Sequence, residues 1–346
     1  MNYLSSKIFS ALESPALIDT KKPSESLNPS SASLEIIDRF GDRRVVGSCL
    51  RQQYYRARSY PIPFKTNPDW ELSSLIGNKL HELIFDILVS HGFKMGLQIV
   101  REEHSIYSTI SSISGRSDLL AWDYNSNELV GIEIKSVGEY KAGKVIESPA
   151  EEHVLQAMLY LDHYRKAIPE GMKRPTKWYI LYISRTENWT IKGKKHGSQM
   201  AMVWDSYLTL DADGVPTIYS SSGIEKWSDF KVDKIYDRFN TLKQCLVTNT
   251  VPDRDFDIKY SEEKIAGLYK RGKITKKTDT KVIEKWLSKG GTPGTLKLDI
   301  GDFECQLCEF RNSCWDIKGG PERNIYNLPE LDSDKITPPS TIDEMF

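Results

Sequence analysis

The chain has 346 residues, with 47 basic and 48 acidic side chains, a formal net charge of -1 and 39% hydrophobic content. That length supports a sizeable core in one or two domains. The near-zero charge excludes a globally basic nucleic-acid binder, so any phosphate-binding surface has to be a local patch. No apolar run approaches the roughly 18 residues needed to cross a bilayer, and no membrane partner is expected.

Residues 1–32 are rich in Ser, Pro and Lys and read as a weakly ordered lead-in. The opening stretch has no cationic segment followed by an apolar block and carries Glu13 and Asp19 early, which predicts a cytoplasmic protein. From Leu34 to Tyr60 the chain is basic and aromatic: Arg43, Arg44, Arg51, Arg56 and Arg58 interleave with Tyr54, Tyr55 and Tyr60 around Cys49. Pro61, Pro63 and Pro68 then precede a helix expected from about Trp70 to Ser90. There Leu72, Leu75, Ile76, Leu80, Leu83, Ile84 and Ile87 fall at helical spacing, and His91-Gly92 supplies the stop.

Three strands are expected near 97–108, 109–123 and 128–137, the last two joined by a hairpin turn at Tyr124-Asn125-Ser126-Asn127. A helix from about Pro149 to Lys166 has Pro at its first position and acids in its first turn. Trp178 to Ser184 is apolar enough for a buried strand. The fold expected is α/β: a mixed central sheet flanked by helices, with its core at about 70–185.

Residues 186–228 read as added hairpins, and a helix near 229–247 carries Cys245 as a buried helix cysteine. The segment 258–300 is strongly basic but mixes in Glu262, Glu263, Asp279 and Glu284, which suits an exposed helix–loop–helix. The expected layout is one domain over 33–318, with an insertion at 186–300 before a cysteine triplet at 305–314. An extended Pro-rich tail follows at 319–346.

The chemistry concentrates on Gly131-Ile132-Glu133-Ile134-Lys135 and on Asp118 upstream. On a strand, Glu133 and Lys135 point to one face while Ile132 and Ile134 go to the core. Asp118 and Glu133 supply carboxylates for Mg²⁺ or Mn²⁺, and the carbonyl of Ile134 is a natural third ligand. Lys135 is then placed to position the attacking water or to counter charge on a phosphate. Taken alone, D…ExK also arises on ordinary amphipathic strands as a solvated Glu and Lys. Further along, 153, 156 and 160 share a helix face that could present Gln156 and Tyr160 to a substrate phosphate or base. His81, on the polar side of its helix, would as a nitrogen donor tilt a two-carboxylate site towards Mn²⁺.

Cys305, Cys308 and Cys314 lie in CQLCEFRNSC, with Cys49 far upstream and an odd total of 5 cysteines. In a reducing compartment this spacing reads as metal or iron–sulfur ligation rather than a disulfide framework. Four thiolates can hold either a cubane cluster or zinc. Such a site would act as a structural staple between distant parts of the chain. Arg51, Tyr54, Tyr55, Arg56 and Arg58 could grip backbone phosphates and stack bases of a single strand.

Four motifs occur in order: G-x-x-x-H (77–81), G-R-x-D (115–118), E-I-K (133–135) and H-x-x-Q-x-x-x-Y (153–160). In that order and approximate spacing they resemble the RecB-type branch of the PD-(D/E)xK nucleases. C-x2-C-x5-C-W (305–315), with Cys49 upstream, looks like the iron–sulfur subset of that branch, which includes CRISPR-associated RecB-like exonucleases and phage-encoded relatives. The likeness spans roughly 45–185 and 303–316.

The resemblance implies a restriction-endonuclease-like core with a cysteine-bound accessory region built from both chain ends. It further implies a [4Fe–4S] cluster on Cys49, Cys305, Cys308 and Cys314, a metal on His81, Asp118 and Glu133, and Lys135 as the catalytic lysine. The activity expected is metal-dependent cleavage of DNA, exonucleolytic on single strands or frayed ends, with Gln156 and Tyr160 positioning the strand. A homo-oligomer, or recombination or CRISPR partner proteins, would fit that role. The alternatives are a non-catalytic iron–sulfur subunit that binds DNA, and a ribonuclease. The long gap before the cysteine triplet, and Cys245, have no place in the family pattern.

Overall fold

The structure is a computed structural model that describes residues 27–38, 40–60, 68–108, 113–185, 189–191, 194–196 and 202–317. The expected tail at 319–346, residues 1–26 of the lead-in and 109–112 of the second strand lie outside the described residues. The described chain forms two units: 27–48 with 68–250, and 49–60 with 251–317. The domain expected over 33–318 thus spans residues of both units. No described helix is long and apolar enough to cross a membrane.

The first unit begins earlier than expected, because Leu27 bridges Ile113 and Pro29–Ser31 form a 3-10 turn. A hairpin of β1 (Ser33–Ile37) and β2 (Arg43–Gly47) follows. Next come α1 (Pro68–His91), β3 (Leu97–Ser108), β4 (Ile113–Asp123) and β5 (Glu128–Val137). Helices α2 (Glu139–Val145) and α3 (Glu151–Ala167) lead to β6 (Lys177–Ser184). A short hairpin of β7 (Trp189–Ile191) and β8 (Lys194–His196) precedes β9 (Val203–Leu210), β10 (Pro216–Ser220), β11 (Gly223–Lys226) and α4 (Val232–Val247).

Seven strands make one mixed sheet in the order β11-β10-β9-β6-β5-β4-β3. Only β5 and β6 pair in parallel. Parallel neighbours need a crossover, and α2 with α3 supplies it. Of the hairpins expected over 186–228, β7–β8 stands apart as a two-stranded sheet. The antiparallel run β9–β10–β11 also extends the large sheet, since β9 pairs directly with β6. An apolar run such as WYILYIS has to be paired on both edges to leave no buried backbone group open.

β5 is covered on both faces. Val130, Ile132 and Ile134 pack with Leu88, Leu119, Ala121 and Ile183, and Leu80, Ile84 and Phe85 of α1 close that layer. Leu72, Leu75, Ile76, Leu83 and Ile87, read above as the helix's apolar stripe, are exposed on α1. On the α3 side, a Cβ on Gly131 would sit 2.1 Å from the Trp178 ring. Only glycine lets that indole lie across β5, where it stacks on Tyr164 with centroids 5.5 Å apart. From Val154 to Leu161 every residue of α3 is buried, so the helix is enclosed all round and not merely amphipathic. Its cap is Ala150, which puts Pro149 before the helix and corrects the assignment of proline to the first position.

The second unit is helical. Leu50–Ala57, Glu262–Lys270 and Lys277–Ser288 are joined by the short helices Phe303–Gln306 and Arg311–Trp315. The basic run forms the expected helix–loop–helix, closed by Ile265, Ile283 and Leu296.

Candidate active site

Leu119 stands opposite Ile132 in the β4–β5 ladder, which sets Asp118 beside Glu133. Asp118 Oδ2 accepts the Ile134 N–H at 2.7 Å and lies 3.0 Å from His81 Nε2. That contact raises the pKa of His81 against the opposing effect of burial. Helix α1 delivers His81 because Gly77, one turn earlier, lies against β5. A Cβ there would stand 2.6 Å from Ser136 Oγ, which gives the glycine of G-x-x-x-H a packing reason.

Glu133 is 3% exposed. Its Oε1 accepts from Lys135 Nζ at 2.7 Å and from Gln156 Nε2 at 2.8 Å, while Gln156 Oε1 accepts from Lys135 Nζ at 2.9 Å. Gln156 Nε2 also approaches the Tyr160 hydroxyl at 3.1 Å, and that hydroxyl donates to the Arg116 carbonyl at 2.9 Å. Glu133 Oε2 is buried and has no hydrogen-bond partner. Burial pushes this carboxyl up to about 7; the charge of Asp118 adds to the shift, and Lys135 and His81 oppose it. Burial therefore outweighs the ion pair.

A hard divalent cation fits this donor set. It would give Oε2 a partner and offset the repulsion between two carboxylates. Among the described residues no three His, Cys, Asp or Glu side chains already surround one point closely enough to hold an ion. His81 and Asp118 contact each other, and Glu133 Oε1 is taken by Lys135 and Gln156, so ligation requires these side chains to turn. No family model and no curated protein matches the chain.

Asp118, Glu133, Ile134, Lys135, His81, Gln156 and Tyr160 are thus brought together. Two of them occupy a different place from the one expected. Gln156 is 6% exposed and Tyr160 2%, and both are bonded inward. They stand behind Glu133 and Lys135 and hold them, with no open face towards a strand. The sequence reading placed His153 in its fourth motif without assigning it a partner, and it missed Lys141 and Tyr182. Lys141 Nζ lies 2.7 Å from Glu152 and 3.3 Å from His153 Nε2, and His153 Nδ1 is 2.9 Å from the Tyr182 hydroxyl. Lys141 stands three residues after Gly138, the glycine that follows β5, and carries no motif of its own.

The cysteines gather in the second unit. Cys49 caps Leu50–Ala57, and Cys305 and Cys314 lie on the two short helices that flank Cys308. All are free thiols. Burial pushes Cys305 up to about 12, and the charges of Cys49, Cys314 and Cys308 all add to that, so three cysteines lie within electrostatic reach of the fourth. Thiolate sulfurs are the ligands of zinc and of iron–sulfur clusters, so the donor type suits either. Among the described residues no three cysteines surround one point closely enough to hold an ion, so ligation requires these side chains to turn. Cys245 is half-buried on α4 of the sheet-bearing unit, which corrects its reading as a buried cysteine.

Tyr54 and Tyr55, expected to stack on bases, lie inside the second unit. They are 2% and 5% exposed. Tyr55 packs on Phe310 and Tyr60 with centroids 5.5 and 4.5 Å away, because this helix turns its aromatic face onto the cysteine segment. Arg56 pairs with Glu309 at 2.5 Å, and Arg58 lies over the Tyr54 ring.

Proposed function

We propose that the chain is a metal-dependent DNA nuclease, acting as an exonuclease on single strands or frayed ends. The observation that carries this is Glu133 Oε2, buried and unpartnered beside Lys135 and within electrostatic reach of Asp118 and His81. Asp118, Glu133, His81 and the Ile134 carbonyl would hold Mg²⁺ or Mn²⁺, which when bound polarises a phosphate and acidifies a water. Lys135, bonded to Glu133 and Gln156, would counter charge gathering on a phosphoryl oxygen. Gln156 holds Glu133 through its amide N–H, and Tyr160 accepts from the same amide.

The sequence of α1, a β3–β4–β5 meander, α3 and β6 supports a restriction-endonuclease-like core. The four thiols of the second unit support a [4Fe–4S] cluster, with zinc as the alternative occupant. The rival reading, a DNA-binding subunit without catalysis, is weakened by the buried charge: a binder gains nothing from carboxylates where a phosphate must lie.

The test is digestion of 5′- and 3′-labelled single- and double-stranded DNA, and of matched RNA, in Mg²⁺ and in Mn²⁺. Glu133→Ala should lower the rate at least about a hundredfold. Equal degradation by the two proteins overturns the assignment, and preference for RNA replaces the substrate class.

A further inference from the structure

We infer that Arg51 tunes the metal centre that the four cysteines would hold, setting its electron affinity through Cys314. This rests on the four-cysteine reading above. Arg51 lies two residues past Cys49 on Leu50–Ala57. Its Nε donates to the Pro252 carbonyl at 2.7 Å, which fixes the guanidinium plane, and its Nη1 donates to Cys314 Sγ at 3.9 Å. Arg254 closes on the same residue: its Nη2 donates to the Cys314 carbonyl at 2.6 Å, and its guanidinium lies 4.1 Å over the Trp315 ring. Two cations from separate stretches of chain thus meet at one of the four cysteines, Arg51 at its sulfur and Arg254 at its carbonyl. Neither is a ligand.

A centre bound by four thiolates carries net negative charge, and in a half-buried setting that charge needs a counterpart. A cationic N–H donor on a ligating sulfur withdraws electron density and favours the reduced, more negative state of a cluster. Arg51 was read from sequence as a grip on DNA phosphates. Its contacts instead point inward, to the backbone and to sulfur. Arg51 is accordingly a positioning residue, and removing its charge should make the centre harder to reduce without removing a ligand.

The experiment uses the full chain purified without oxygen as wild type, Arg51→Lys and Arg51→Gln. Iron, sulfide and zinc are measured per chain, and the midpoint potential is read by redox titration followed by electron paramagnetic resonance. Iron content should match in all three. Arg51→Gln should shift the midpoint negative by about tenfold in the reduction equilibrium, about 59 mV for one electron, and Arg51→Lys should recover part of that shift. If Arg51→Gln fails to retain iron, Arg51→Lys alone decides, through a smaller negative shift. An unchanged midpoint in the loaded variants overturns the role of Arg51 and leaves the cluster standing. Wild type carrying zinc alone, or no metal, overturns the cluster itself and the tuning with it.

Discussion

Glu133 is the residue on which opposing forces meet. Lys135 and His81 favour its charged form, burial and Asp118 disfavour it, and burial wins. Gln156 makes the arrangement tolerable by bonding both Glu133 and Lys135 from behind. Gln156→Leu removes both bonds while keeping the volume. It should lower stability by about 1–3 kcal/mol, the range for leaving buried polar groups open. It should also slow cleavage about tenfold or more while leaving DNA affinity within twofold. Urea unfolding, steady-state rates and binding in Ca²⁺ read the three quantities. Weakened binding at an unchanged rate would instead make Gln156 a substrate contact, as its place in the sequence motif suggested.

At the scale of elements, α3 enters the buried layer just after its first turn, where His153 stands half-buried. Burial pushes His153 down to about 2, with the Lys141 and Lys135 charges adding to the shift. The unfolded chain takes up this proton below about 6.5 and the folded chain does not. Its contribution to stability is therefore complete above that value and is lost progressively as the pH falls through it towards 2. Between pH 7.5 and 5.0 the urea midpoint should drop, and His153→Gln should reduce that drop by at least about 1 kcal/mol. An unchanged pH dependence in the variant would mean the ring is protonated in the folded chain.

Most elements were legible because their signals are local. The periodicity of 70–90 and the alternation around Glu133 need no distant partner to be read. Which side of α1 is covered was not legible. Leu80 and Ile84 pack on the sheet while Leu72 and Leu83, equally apolar, face outward, since only the position of β5 distinguishes them.

At the scale of the molecule, the sheet-bearing unit and the cysteine-bearing unit each have their own apolar cluster. That of the second unit is small, with Ile265, Ile283 and Leu296 at its centre. A metal clip joining Cys49 to the triplet should stabilise it by about 3–5 kcal/mol, an upper figure for long-loop closure. Stripping the metal with an oxidant and chelator should lower one calorimetric transition by at least about 5 °C and leave a second in place. One shared transition that does not move would remove the clip from the account of stability.

By itself the sequence determined the order helix, three strands, helix and strand between Pro68 and Ser184, the Asp118–Glu133–Lys135 spacing and the cysteine pattern, all carried by local sequence. The β1–β2 hairpin and α2 were not read. The tertiary structure alone decided which of these side chains meet and which turn away from solvent. Burial depends on what arrives from elsewhere in the chain. α3 closes over Glu133 and leaves Gln156 and Tyr160 as supports. The cysteine turns cover Tyr54 and Tyr55 and draw in Arg51. β9 completes the sheet beside β6, where the sequence alone had suggested an ornament.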